Sequence, residues 1–163
     1  MAFVRRTQRS VAAFAVVPAV VATLALAGGL GPVLLGLFGT VVLAAGVTVA
    51  SRRVVSLGAL AVFGGVLVAG TTDGSTALLV LAAAGTVASW STGQHVVGLA
   101  HQLGREAGVR RSVLAHLAGT TAISLSAGAV GLVTSRAAGG AVPAVAAAFL
   151  LVGVVALLVA LRS

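Results

Sequence analysis

Long apolar stretches, separated by short polar or glycine-rich breaks, run along the whole chain. A helix needs about 20 apolar residues, within a range of about 17 to 25, to cross the hydrocarbon core of a bilayer. Each stretch is close to that length, and the breaks contain the Gly, Pro, Ser, Thr and Arg residues that commonly end or begin helices. The pattern predicts six spans, over residues 11–29, 32–50, 54–71, 76–92, 112–134 and 141–161.

The predicted fold class is all-α: a polytopic membrane helical bundle whose six transmembrane helices form three hairpins with short loops. Residues 1–163 then make one membrane domain. An arginine pair precedes each hairpin, at Arg5-Arg6, Arg52-Arg53 and Arg110-Arg111. An internal repeat is one explanation of this layout. The hairpins share little sequence beyond the pairs, so we favour the simpler explanation that arginines gather on one side of any protein with an even number of spans.

One segment departs from the alternation of apolar stretches and short breaks. Residues 93–111 mix polar and apolar positions, and their apolar positions recur at helical spacing. These positions are Val96, Leu99, Ala100 and Leu103. We predict a cytoplasmic interfacial segment, formed either as a continuation of the fourth helix or as a short helix lying on the membrane. Trp90 precedes it and is expected at the interface, with its N–H in contact with water.

The N-terminal 27 residues also have the layout of a signal peptide. A basic start and an apolar middle are followed by Ala25-Leu26-Ala27, a sequence of the kind that signal peptidases cleave. Cleavage would leave a new N-terminus only a few residues before the second span. We therefore expect an uncleaved first helix, with cleavage as the alternative.

The composition identifies hydrocarbon as the solvent for most of the surface. Hydrophobic residues make up 60% of the chain and charged residues only 7%, whereas a soluble domain has about 25% charged residues. The net charge of +8 raises the question of nucleic-acid binding. The arginines lie in small clusters between apolar stretches and not along one face of a folded domain, so no nucleic-acid partner is predicted.

The distribution of arginines predicts the orientation. Basic residues in short loops are retained on the cytoplasmic side. With six spans, one side has nine of the ten basic residues and the other has only Arg136. The nine are Arg5, Arg6, Arg9, Arg52, Arg53, Arg105, Arg110, Arg111 and Arg162. The prediction is a multi-pass protein of the cell membrane with cytoplasmic N- and C-termini.

The residue types needed for catalysis or metal binding are sparse. Asp73 and Glu106 are the only acidic residues, and both fall in predicted loops. His95 and His101 are six residues apart, whereas a metal pair on one helix needs a spacing of four. We therefore predict no catalytic, cofactor-binding or metal-binding residues, no cofactor and no enzymatic activity.

Small residues recur at intervals of four along several predicted spans. Such rows let helix backbones approach closely in lipid and let hydroxyl groups bond between helices. The rows are Thr120, Ser124 and Gly128 in the fifth span, Gly36 and Thr40 in the second, and Ala84 and Ala88 in the fourth. Packing within the chain's own bundle is the simpler explanation, and packing against a partner is the alternative.

Residues 90–119 resemble an uncharacterised haloarchaeal family of multi-pass membrane proteins, DUF7519-like. The resemblance rests on Trp90, Gly98-Leu99-Ala100-His101-Gln102-Leu103-Gly104-Arg105-Glu106-Ala107, Arg110-Arg111 and His116-Leu117-Ala118-Gly119. The chain departs from the family pattern at Ser112-Val113-Leu114, where the family has Ala-Glu-Leu. The resemblance implies apolar helices on both sides of this segment and no assigned activity.

The sequence thus leads to a non-catalytic integral membrane protein, expected to be a scaffold or accessory subunit of a membrane complex. Its surroundings are the lipid bilayer and a membrane or cytoplasmic protein partner. The residues expected to contact that partner, or lipid headgroups, are Arg105, Arg110 and Arg111. The alternative is a channel or facilitator for a small neutral solute, lined by hydroxyl groups and backbone carbonyls.

Overall fold

The computed structural model describes residues 2–71, 75–102 and 109–137, and the side chains of 13–71, 75–100 and 111–133. These residues form five α-helices, which confirms the all-α prediction. The helices are α1 (Ala2–Ala25), α2 (Leu30–Thr48), α3 (Arg52–Gly70), α4 (Thr76–Gln102) and α5 (Val109–Ala137). The predicted sixth span, 141–161, lies outside the described residues.

Four stretches of these helices are long and apolar enough to cross a membrane, which indicates a membrane protein. They are Leu30–Thr48, Arg52–Gly70, Thr76–Ala100 and Arg111–Val133. In α1 the described side chains begin at residue 13, and Ala13–Ala25 form an apolar stretch.

The helix α4 runs without a break through the first part of the mixed segment 93–111. Residues 93–102 therefore continue the fourth helix, and 103–108 lie outside the described residues. Contacts along this extension hold it to the bundle: Val97 is fully buried in a core cluster, and Val96 packs against the same cluster. Ala100 is exposed, so the predicted apolar stripe is only partly buried.

The helices α2 and α3 form a hairpin in which glycines let the two backbones touch. A Cβ added at Gly58 would lie 2.4 Å from the backbone N of Leu43. One added at Gly39 would lie 2.5 Å from the N of Val62, and one at Gly46 would lie 2.5 Å from the N of Val55. A row of small residues therefore determines how closely these two helices pack, as expected where lipid removes the hydrophobic drive for association.

The core is built from small side chains, and many of the large ones point outwards. Ala15, Ala19 and Val55 are fully buried in one core cluster. Leu34 and Phe38 on α2 are 63% and 64% exposed. This distribution suits hydrocarbon, because exposed apolar side chains meet lipid at no cost while small ones allow close backbone contact.

Two compact units are distinguished in the chain. The first, Met1–Gly128, contains α1 to α4 and most of α5. Of the second, Ala129–Ser163, the structure describes only the last turns of α5. Only 6% of the apolar window of α5 is buried, against 39–44% for the spans formed by α2, α3 and α4. The helix α5 is therefore the least enclosed element of the described chain.

Candidate functional site

The polar side chains that join α4 to α3 and to α5 lie at one end of the bundle, which we call the arginine end after its described arginines. Arg52 and Arg53 begin α3, and Arg111 lies in the first turn of α5; all three are exposed. Of the predicted contact residues, only Arg111 has a described side chain. Arg110 lies in α5 without a described side chain, and Arg105 lies outside the described residues.

The turn between α2 and α3 places the arginine pair Arg52-Arg53. Ala50 has a φ of 54°, the left-handed conformation usually taken by glycine at this position. The N–H of Ser51 donates to the carbonyl of Gly46 at 2.9 Å, and the N–H of Ala50 donates to that of Val47 at 3.3 Å, which closes the last turn of α2. An open depression of about 410 Å³ is lined by Ala50, Ser51, Arg52 and Arg53.

These arginines make the end of the bundle strongly positive. The first turn of α3 has two arginines and no acidic residue, so their charges add to the positive end of the helix dipole. The Arg52 guanidinium extends to α4, where a Cβ added at Gly98 would lie 3.1 Å from Nη2. A side chain at position 98 would therefore compete with Arg52 for space.

Three hydrogen bonds join α3 to α4 beside these arginines. Trp90 Nε1 donates to Ser56 Oγ at 3.1 Å, and Gln94 Nε2 donates to the same oxygen at 3.0 Å. Gln94 Nε2 also donates to the carbonyl of Arg52 at 3.0 Å. The Trp90 N–H therefore bonds to α3, which corrects the expectation that it contacts water. Because one hydroxyl receives two donors, Ser56 fixes the register of the two helices.

A reciprocal pair of contacts joins α4 to α5. Ser91 Oγ on α4 lies 2.9 Å from His116 Nε2 on α5, and Ser112 Oγ on α5 lies 3.2 Å from His95 Nε2 on α4. The two imidazole rings stack, with centroids 4.3 Å apart and an angle of 10° between their planes. Each helix thus presents one serine and one histidine to the other. We call these four residues the histidine–serine cluster.

The geometry of this cluster limits its chemistry. A serine within hydrogen-bond reach of a histidine is the minimum for nucleophilic catalysis, which also needs donors for the oxyanion. Ser91 lies in the interior of α4, where the backbone N–H groups are already used by the helix. Ring lone pairs lie in the ring planes, so two nearly parallel rings do not point at one metal ion. The described residues contain no group of three metal-binding side chains. The cluster is best understood as a contact between helices.

The histidine–serine cluster was not predicted from the sequence, because the spacing of histidines was compared only within one helix. The signal was present as a repeated spacing: Ser91 and His95 are four residues apart, and so are Ser112 and His116. A spacing of four places serine and histidine on the same helix face. Two such pairs on neighbouring antiparallel spans can meet and satisfy each other.

Other hydroxyl groups lie deeper in the bundle. Thr23 and Thr40 join α1 to α2 through their Oγ1 atoms, 3.1 Å apart, and both also bond to backbone carbonyls. Ser89 and Thr92 on α4 are fully buried, and their hydroxyl groups have no hydrogen-bond partner in the described part of the chain. A buried hydroxyl without a partner costs about 1–3 kcal/mol.

Comparison with protein families matches residues 5–158 to a family of unknown function, DUF7519. The match extends well beyond residues 90–119, on which the resemblance in sequence rested. No curated protein and no solved structure matches the chain.

Proposed function

The chain belongs to the DUF7519 family, and from this premise we propose that it is a non-catalytic integral protein of the cell membrane that serves as a scaffold or accessory subunit of a membrane complex. In this proposal six transmembrane helices form three hairpins, and both termini are cytoplasmic. The arginine end then faces the cytoplasm, where a partner protein binds through Arg105, Arg110 and Arg111.

The observation that carries this proposal is the closely packed apolar interior of the bundle. The buried side chains that the structure describes are Ala, Val, Leu and Pro32 with a few Ser and Thr, and none of them is charged. Contacts such as that of Gly58 with the Leu43 backbone leave no space between α2 and α3. A bundle filled in this way offers its outer surfaces, and not its interior, to other molecules.

Of these surfaces, the arginine end is the one with directional chemistry. Basic residues near an anionic leaflet contribute about 1 kcal/mol each by attraction to the surface, and arginine and lysine serve equally for this. A protein partner is different, because the planar guanidinium binds carboxylates through two parallel hydrogen bonds that lysine cannot make. A chain already held by several spans gains little from another lipid anchor, so we favour the protein partner.

The test is a triple variant, Arg105→Lys, Arg110→Lys and Arg111→Lys, expressed as the full chain and purified from native membranes in mild detergent. Co-purifying proteins are quantified by mass spectrometry. We expect the recovery of at least one specific partner to fall about tenfold. A fall of that size corresponds to the loss of roughly one bidentate contact.

The matched control changes Arg5, Arg6 and Arg9 to Lys in the same way. This variant has the same net charge and the same predicted side of the membrane, so it should retain the partner. Equal recovery from the parent, the triple variant and the control would assign the arginines to lipid attraction and overturn the docking proposal.

The buried hydroxyls favour a second candidate, a channel or facilitator for a small neutral solute. Ser89 and Thr92 lie on α4 inside the bundle, and their unused hydrogen-bonding capacity suits water or a small polar solute. Flux of water and glycerol into proteoliposomes tests this candidate. The variant Ser89→Ala with Thr92→Val should reduce flux, and Thr48→Val, at an exposed hydroxyl bonded to its own helix, should not. Flux no higher than that of protein-free liposomes would exclude the candidate.

A further inference from the structure

The contact of α5 with α4 is confined to a few positions, and the histidine–serine cluster is its polar part. Val113, one residue after Ser112, is fully buried, whereas Leu114 and Ala115 next to it are exposed. Farther along, a Cβ added at Gly128 would lie 2.5 Å from Val80 Cγ1. Since little else of α5 is enclosed, the cluster strongly influences whether this end of α5 stays on α4.

Whether the two rings of the cluster can stack depends on how many of them are protonated. Two neutral imidazole rings, or one neutral and one charged ring, can stack at a centroid distance of 4.3 Å. Two imidazolium rings at that distance repel each other. The His95–Ser112 contact lies at the surface of the bundle beside the exposed Arg111, where protons can reach the rings. Histidine is the side chain whose unperturbed charge changes between about pH 5 and 8, so acidification is the condition that adds a second proton to the pair.

The surrounding charges oppose a second proton as well. On α3, which packs against α4, the charged groups are Arg52 and Arg53; on α5 the described charged group besides His116 is Arg111. The described side chains of α1 and α2 include no charged group, and those of α4 include none besides His95. No carboxylate is found among the described residues to neutralise a doubly protonated pair.

We propose that His95 and His116 form a pH-sensitive latch, which holds the N-terminal part of α5 against α4 while at least one ring is neutral and releases it when both are protonated. The hydrogen bonds to Ser112 and Ser91 align the rings in the closed state. The latch goes beyond the scaffold proposal, because it concerns the position of α5 and is tested without any partner.

The test measures the distance between α3 and α5 by electron spin resonance in the full-length chain. The chain has no cysteine, so Leu57→Cys and Ala115→Cys, both at exposed positions, accept two spin labels without competing sites. The labelled protein is placed in nanodiscs of zwitterionic lipid and measured at pH 8 and pH 5. We expect one distance at pH 8 and, at pH 5, about a tenfold rise in the population at a second distance.

Two variants separate the latch from a general effect of pH. His95→Gln can still bond to Ser112 but cannot become charged, so its distance should not respond to pH. His101→Gln, the same change at the remaining histidine, should respond as the parent does. If His95→Gln does not show the parent distance at pH 8, His116→Asn takes its place. An unchanged distance in the parent, or an undiminished response in the variant that lacks a ring of the pair, would overturn the latch.

Discussion

Glycine and alanine determine how the described helices fit together, residue by residue. Gly39, Gly46 and Gly58 each stand where a Cβ would meet backbone atoms of the facing helix. Backbone cannot move aside as a flexible side chain can, so a larger residue at these positions would force the two helices apart. Other glycines of the same helices have open space around them: nothing lies within 4 Å of a Cβ added at Gly64. The glycines therefore fall into two groups, those that contact a facing backbone and those with open space around them. The sequence alone does not distinguish the two groups.

The first prediction at this scale compares two glycines of α3. Gly58→Ala should lower the free energy of unfolding in detergent by about 1–3 kcal/mol, the usual cost of overpacking, because the new Cβ would lie 2.4 Å from the Leu43 N. Gly64→Ala should be neutral or slightly stabilising, since alanine is the better helix former. Reversible unfolding in a detergent mixture, followed by circular dichroism, measures both. Equal stability of the two variants would show that α2 and α3 are not in backbone contact.

At the scale of elements, α4 connects the bundle to α5. One side of α4 bonds to α3 through Trp90 and Gln94, and another meets α5 through Ser91 and His95. Its continuation through residues 93–102 makes both contacts possible, because a helix ending at Ser91 would lack Gln94 and His95. The helix α5 has no comparable second partner among the described helices and exposes side chains such as Ile123, at 73%.

The prediction at this scale concerns the contact between α4 and α5. Gly128→Leu should destabilise the protein more than Gly70→Leu, because a side chain at position 128 would meet Val80 Cγ1 within 2.5 Å, while the nearest atom to one at position 70 is Leu79 Cδ1 at 4.0 Å. A difference of about 1 kcal/mol is expected, since Val80 can partly give way. Thermal unfolding in detergent compares them. Equal stability of the two variants, or a less stable Gly70→Leu variant, would contradict this placement of α5.

At the scale of the whole molecule, charge and hydropathy act together. The two described arginines at the start of α3 and the one at the start of α5 belong to the same end of the bundle, since Gln94 bonds to Arg52 while its neighbour His95 bonds to Ser112 next to Arg111. Arginines at one end of a helical membrane protein are retained in the cytoplasm during insertion. The arginine end is therefore the end proposed to face the cytoplasm.

The corresponding prediction is a topology. A reporter enzyme fused after Ser163 should be active in the cytoplasm, and the same reporter inserted at Asp73 or Gly139 should report the outside. The physical reason is the asymmetry of nine arginines on one side against one on the other when six spans are assumed. Paired reporters, one active only in the cytoplasm and one only outside, provide the measurement and each other's control. An external C-terminus would contradict the six-span arrangement.

Hydropathy alone determined the class of this protein, its helical structure and the approximate position of the described helices. The physical reason is local: in hydrocarbon each helix must satisfy its own backbone hydrogen bonds, so about 20 consecutive apolar residues suffice to specify a span. The family resemblance could likewise be read from residues 90–119, and the match over residues 5–158 confirmed it. Of the three contact residues predicted from the sequence, the structure describes the side chain of Arg111 alone, at the exposed start of α5.

Only the tertiary structure decided which residues meet between helices. The rotation of each helix about its axis, and the identity of its neighbour, decide these contacts. They determine that Gly58 and not Gly64 touches a backbone, and that His95 stacks on His116. In a soluble helix an apolar stripe reveals that rotation, because only one face is buried. Here lipid and core are both apolar, so apolar residues occupy every face of each span. No apolar stripe then shows which face of the helix is buried. The pairings that remain depend on small residues and hydroxyl groups, whose partners are set by three-dimensional packing.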